Sequence, residues 1–336
     1  MKRITAIILT LLLFVGLCTP MAGAVSHKEG MDALRAQFQH GSNVYLDYVY
    51  YSPVKSASAK KYPLVIWLHG NSSGDYPGHQ LDNCNIAMWS SEEYQKRFKD
   101  TGGAFIFLPR CPTVALTLAW DGKQLQLKGA IDQFIAENKN FIDTDRIYIG
   151  GYSMGGKMAY IMPARYTGFF AAVFLLSPLY SPPDYELNAL SKTPVWFAYC
   201  VNDNYPSLNS MTVSNNWKYL MSVSECPEKC RFSSFKGIYY PDGTYCGKDE
   251  VHNTWNAACY DFLMNDGSHY KDMTLFDGEG NTVTLSEPDG LISWLSEQNL
   301  QNETVEVKGF FARIIDAIIS AFTNIIKIMG SIGGVL

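Results

Sequence analysis

Five short stretches of this chain, residues 64–68, 104–108, 147–150, 171–176 and 195–199, are apolar or aromatic almost throughout and are bounded by turn residues. A strand with one wet face alternates apolar and polar positions, whereas unbroken runs of this length mark strands covered on both faces. Stretches with helical spacing lie between them. In residues 125–138, Leu125, Leu127, Ile131, Phe134 and Ile135 gather on one side. Strand alternating with helix predicts an α/β fold, a mostly parallel sheet with helices on both faces. Residues 44–51 alternate more and are expected to pair antiparallel at the entry edge.

The pattern changes beyond about residue 265. Residues 275–284 read as a hairpin around a Gly-rich turn and residues 291–298 as a helix. The turn lacks the alternating oxygen ligands and closing Glu of a calcium loop. Phe311, Ile314, Ile315, Ile318, Ile319, Phe322, Ile325, Ile326 and Met329 then recur at helical spacing, with Arg313, Asp316, Asn324 and Lys327 largely opposite. Such an amphipathic helix over 310–329 fits either peripheral contact with a membrane interface or docking on its own domain or a partner. Its charges argue against a membrane span.

At the other end, Lys2 and Arg3 precede an apolar run to Cys18, and Ala22-Gly23-Ala24 supplies a small-x-small cleavage pattern. Residues 1–24 are therefore expected to be a secretory signal peptide, residues 25–300 one α/β domain and residues 301–336 a tail. Export places the chain in an oxidising compartment, so some of the seven cysteines outside the signal should pair, and the odd number leaves one over. Zinc is a rival for Cys226-Pro-Glu-Lys-Cys230. No second Cys or His set with finger-like spacing accompanies it, which favours a local disulfide or two thiols. The formal net charge of -5, with no basic stripe, argues against nucleic acid as a partner.

Chemistry enters at Gly151-Tyr152-Ser153-Met154-Gly155, which follows the run 147–150 directly and precedes Gly156 and a helix-like segment. A serine on a sharp strand-to-helix turn is held in a strained backbone, where side chains two positions away would collide, so glycine there has a steric cause. Ser153 is the candidate nucleophile. Serine alone attacks poorly and needs a base oriented by a carboxylate. With the order nucleophile, acid, histidine, only His252 and His269 qualify as base. Asp242 and Asp249 lie near His252 in the chain and are alternative acids to Asp203.

These motifs resemble the secreted esterases of the polyhydroxybutyrate-depolymerase-like, "predicted peptidase" and feruloyl or acetylxylan esterase group, within the α/β-hydrolase superfamily. Those proteins carry Val-Trp-Ala-Phe-His-Gly, two residues and the acid; here the stretch is Val195-Trp-Phe-Ala-Tyr-Cys-Val-Asn-Asp203. They carry Gly-His-x-x-Trp opening a helix; here it is Val251-His252-Asn253-Thr254-Trp255. The resemblance spans roughly residues 45–264 and makes Asp203 the acid and His252 the base. It departs at Tyr199-Cys200 and at Val251, and it makes residues 265–288 an insert, either a lid, a substrate wall or decoration.

The loop His69-Gly70-Asn71-Ser72-Ser73-Gly74 resembles the one with which these hydrolases supply an oxyanion-binding N–H. The match makes Asn71 one donor and Met154 the other, with His69 a structural neighbour. Trp120 and Tyr152 are expected to line the pocket. The implied reaction is hydrolysis of a small-molecule or polysaccharide-linked ester, plant-wall acyl groups included, with no metal or organic cofactor required. A serine peptidase on the same fold and a non-catalytic surface binding protein are the rival readings.

Overall fold

The computed structural model describes residues 27–54, 60–71, 75–82, 85–112, 119–203, 210–284 and 290–300. The expected signal peptide with Cys18, the tail with its 310–329 helix, Ser72, Ser73, Gly74, Cys84 and residues 285–288 of the expected insert lie outside them. Nine strands form one sheet: β1 (Gln39–Ser42), β2 (Asp47–Tyr51), β3 (Tyr62–Leu68), β4 (Phe105–Pro109), β5 (Ile142–Tyr152), β6 (Ala172–Leu176), β7 (Val195–Cys200), β8 (Arg231–Phe235) and β9 (Met273–Asp277). Their spatial order is β1-β2-β4-β3-β5-β6-β7-β8-β9. Strands β3 to β8 run parallel, while β1, β2 and β9 pair antiparallel at the two edges.

The helices are α1 (His27–Arg35), α2 (His79–Asp82), α3 (Glu92–Lys96), α4 (Gln124–Glu137), α5 (Met154–Arg165), α6 (Asp184–Leu190), α7 (Ser210–Val223), α8 (Thr254–Cys259) and α9 (Leu291–Glu297). Each inner strand divides its side chains between two apolar layers. Leu64, Ile66 and Leu68 of β3 join Val173 and Leu175 of β6 on the face covered by α4, α5, α6 and α7. Val65 and Trp67 join Phe174 and Leu176 on the other, under α1, α8 and α9. Burial on both faces removes any reason for alternation, which is why these strands read as continuous apolar runs. In α4 the buried stripe is Leu127, Ala130, Ile131 and Phe134. Leu125, expected on that stripe, is 66% exposed because it falls in the first turn, before the helix meets the sheet.

The expected insert is partly sheet: β9 pairs with β8 from Phe235↔Met273 to Arg231↔Asp277. A hairpin-like return follows, with a single bridge between Phe276 and Thr282. Among the described residues no helix is long and apolar enough to cross a membrane.

Two buried polar contacts hold loops that matter later. Asp261, its side chain fully buried, accepts from Arg97 Nη1 at 2.9 Å and from the Ile292 N–H at 2.7 Å, tying the end of α8 to the first turn of α9. His69, also fully buried, accepts the Cys111 N–H on Nε2 at 2.9 Å, so Nδ1 carries the hydrogen and donates to the Gly70 carbonyl at 2.7 Å. Trp120 Nε1 donates to the His69 carbonyl at 2.8 Å. The loops after β3 and β4 are thereby joined through one neutral imidazole.

Asp261→Ala should lower the unfolding free energy by about 2–3 kcal/mol in urea titrations, because it strands the buried Ile292 N–H and leaves Arg97 with the exposed Glu93 carboxylate. A loss below about 1 kcal/mol would make the pair marginal. Burial pushes the His69 pKa down to about 4, below the unfolded value. Between about pH 6.5 and 4 the unfolded chain therefore binds a proton that the folded one refuses, and stability must fall as pH falls. Relative to His69→Gln, the wild type should lose roughly 2–3 kcal/mol more between pH 7.5 and 4.5. Equal losses would show His69 to be accessible to protons.

Candidate active site

Ser153 stands where β5 ends and α5 begins, at φ 54° and ψ -117°. Positive φ is unfavourable for a residue with a Cβ, and only surrounding contacts can hold it. Here they converge on its own peptide groups. The Ser153 N–H donates to the Leu176 carbonyl at 3.1 Å, and its carbonyl accepts from Lys157 at 3.1 Å and Leu179 at 3.0 Å. A Cβ on Gly151 would lie 2.5 Å from the Leu68 carbonyl oxygen, and one on Gly155 2.2 Å from the same atom. Both glycines let the turn press against the end of β3. The side chain of Ser153 is nearly buried at 8% exposure.

Asp203 and His252, the expected acid and base, lie on the segments that follow β7 and β8. Asp203 follows β7 on a turn in which its N–H donates to the Cys200 carbonyl, and Tyr199 Oη donates to its carbonyl at 3.1 Å. His252 precedes α8. Nδ1 of His252 lies 2.6 Å from Oδ2 of Asp203, whose side chain is 2% exposed. This contact fixes the tautomer, with Nδ1–H donating and Nε2 presented as the basic nitrogen. Asp242 instead accepts the Thr244 N–H in a loop turn, and Asp249 is exposed on a single 3-10 turn. His269 sits in a bridge with Leu263.

Two contacts tie the His252 segment to the strands beside Ser153. Trp255 stacks on Tyr152, the residue before Ser153, with ring centroids 4.3 Å apart, and meets the His252 ring edge-on at 5.4 Å. Ser177 Oγ and Thr254 Oγ1, both fully buried, hydrogen-bond at 3.0 Å and pin the start of α8 to the end of β6. Neither tie was expected from sequence. The His-x-x-Trp spacing was the available signal for the first; nothing local marks Ser177. Tyr152, expected in the pocket wall, is 1% exposed and spends its ring on Trp255 and Trp67.

Met154 is the first residue of α5, where no carbonyl of its own helix can reach its N–H. Asn71 lies just beyond Gly70 in the loop anchored by His69, and its Oδ1 accepts the Ala119 N–H at 3.1 Å. A Cβ on Gly70 would lie 2.7 Å from the Tyr152 ring and 3.2 Å from the Ser153 Cβ, so this loop passes directly over the nucleophile turn. A cavity of about 470 Å³ runs along α5, lined in part by Trp120, Lys157, Met158, Arg165, Tyr180 and Glu186. Lys157 Nζ meets Asp121 Oδ1 at 2.7 Å, and Tyr180 Oη donates to Glu186 at 2.8 Å. Chemically, the arrangement offers a hydroxyl nucleophile, an imidazole oriented by a carboxylate, and backbone donors for an oxyanion.

No protein-family model matches this sequence, and no curated protein matches it. Among solved structures the chain is similar to a thermostable esterase, with a TM-score of 0.55 at 20% identity over 68% of this chain. That match spans only 61% of the esterase. A putative dienelactone hydrolase from Klebsiella pneumoniae is similar with a TM-score of 0.45 at 14% identity, over 66% of this chain and 97% of that one. An acetyl xylan esterase from Aspergillus awamori is similar with a TM-score of 0.40 at 13% identity, over 55% and 77% of the two chains. Strand order, the serine turn after β5 and the likeness to the thermostable esterase together give this chain the α/β-hydrolase fold.

Proposed function

We propose that this chain is a serine hydrolase that cleaves carboxylic esters through an acyl-enzyme, with Ser153 as nucleophile, His252 as base and Asp203 as the acid that orients it. One observation carries the reading: the strained Ser153 turn follows β5 and the Asp203–His252 pair, 2.6 Å apart, joins the segments that follow β7 and β8 of the same parallel sheet. His252 Nε2 takes the Ser153 proton as Oγ attacks the ester carbonyl. Asp203 stabilises the imidazolium that forms without itself taking the proton. The N–H groups of Asn71 and Met154 receive the tetrahedral oxyanion. His252 returns its proton to the departing alcohol, and water repeats the sequence on the acyl-enzyme.

The lining of the cavity along α5 includes none of Ser153, Asp203 and His252. The substrate class rests instead on the resemblance of the serine, acid and histidine motifs to secreted esterases, and is an ester on a small molecule or a polysaccharide. The same reading has the chain exported after removal of residues 1–24, with the tail as a peripheral membrane or docking element.

Fluorophosphonate labelling of the mature chain beside Ser153→Ala, with a short-chain aryl ester assay on both, tests the nucleophile. Labelling and turnover should disappear together in the variant. A folded wild type that neither labels nor turns over would overturn the enzyme reading. Asp203→Asn should lower kcat by roughly 10³–10⁴-fold with labelling slowed in parallel, while Asp249→Asn stays near wild type. The reverse ranking would move the acid to Asp249.

A further inference from the structure

At the opposite end of the strands from Ser153, the chain enters β8 through a tight knuckle, Cys226-Pro-Glu-Lys-Cys230. A 3-10 turn over Pro227–Lys229 folds it back, with the Lys229 N–H on the Cys226 carbonyl at 3.1 Å and the Cys230 N–H on the Pro227 carbonyl at 3.0 Å. Both cysteines are buried, at 6% and 1% exposure. Ser224 Oγ lies 4.0 Å from the Cys226 sulfur and 3.9 Å from the Cys230 sulfur, so the two share one small pocket. The Cys226 side chain hydrogen-bonds the Cys230 thiol and, as the strongest influence, holds it below the usual thiol range even though burial opposes this.

The knuckle is also a junction. Trp294 Nε1 of α9 donates to the Lys229 carbonyl at 2.7 Å, and the Glu225 N–H reaches the Ser191 carbonyl after α6 at 2.8 Å. A Cβ on Gly278, just past β9, would lie 2.1 Å from the Pro227 carbonyl oxygen. Anything that stiffens the knuckle stiffens four elements at once. Among the described residues no group of three His, Cys, Asp or Glu side chains is gathered as a metal site, so the pair lacks the further ligands a structural zinc needs.

We propose that Cys226 and Cys230 are a cross-linking site that closes into a disulfide when the chain folds in the presence of a disulfide donor. In the first step the Cys230 thiolate attacks a sulfur of the donor, forming a mixed disulfide and expelling one donor thiolate. The Cys226 thiolate then attacks the Cys230 sulfur and expels the second. Two protein thiols lose two electrons and two protons; the donor disulfide takes up both and becomes two thiols. The bond forms away from the catalytic end of the sheet and acts on stability, independently of what the enzyme hydrolyses.

Trypsin separates the two cysteines, because Lys229 lies between them and Lys218 and Arg231 flank them. The test refolds the full chain in oxidised and reduced glutathione, blocks remaining thiols with iodoacetamide and digests without reduction. The expected product is peptide 219–229 joined to peptide 230–231, which separate on reduction. Singly alkylated peptides, or Cys230 joined to another cysteine, would overturn the proposal. Thermal unfolding reads the consequence. Reduction should lower the wild-type Tm by about 5 °C and leave Cys226→Ser unmoved. An equal shift in both would deny the bond its structural role, and the peptide map stands even if the variant fails to fold.

Discussion

The carboxyl-terminal end of this sheet depends on keeping one residue in a backbone conformation that it would not adopt alone. At φ 54° Ser153 is unfavourable in any unfolded chain, and it is held by three hydrogen bonds to its own peptide groups from the ends of β6, α5 and the following loop. The restraint works only if the turn can approach β3 closely, which is why Gly151 and Gly155 face the Leu68 carbonyl with no room for a methyl group. The strained turn at Ser153 is therefore held by packing several residues away. The same approach brings the Gly70 loop over the nucleophile.

His252, the proposed base, is held by different means. His252 lies on a loop, and loops hold side chains poorly unless something rigid takes over. Asp203 fixes the ring from one side, and Trp255 bridges from the ring edge to Tyr152, the residue before Ser153. Ser177, itself at φ 41°, adds a buried hydroxyl contact to Thr254. Behind them the Arg97–Asp261 pair closes α8 onto α9. Of these ties the Asp203 carboxylate meets the His252 ring directly, while those through Trp255 and Ser177 are uncharged.

What could be read from the sequence follows from where each element is buried. Strands β3, β4, β6 and β7 are apolar on both faces and stand out. The edge strand β1, Gln39-His-Gly-Ser42, and β8, Arg231-Phe-Ser-Ser-Phe235, are half polar and carry no such signal. Strand β9 overlaps the hairpin expected over residues 275–284, but that it continues the main sheet could not be read because its partner β8 is itself illegible. Ser153 was marked by glycines that sterics require, and the Asp203–His252 pair by a resemblance in spacing; local sequence left Asp242 and Asp249 equally open. The His69 network could not be read at all, since an imidazole accepting one backbone N–H and donating to another carbonyl leaves no periodicity behind.

The pairing of Phe235 with Met273 has a consequence for the base. The segment carrying His252 leaves the sheet at the end of β8 and returns at the start of β9, so its two ends are hydrogen-bonded neighbours. The entropy of closing so long a loop is met by the sheet edge, and it grows only slowly with loop length. The interior of the excursion is not free in the same way, because Asp261, Phe262 and Tyr270 are buried between α8 and β9. The segment that carries His252 is therefore clamped twice, at its ends by the sheet edge and in its middle by the core.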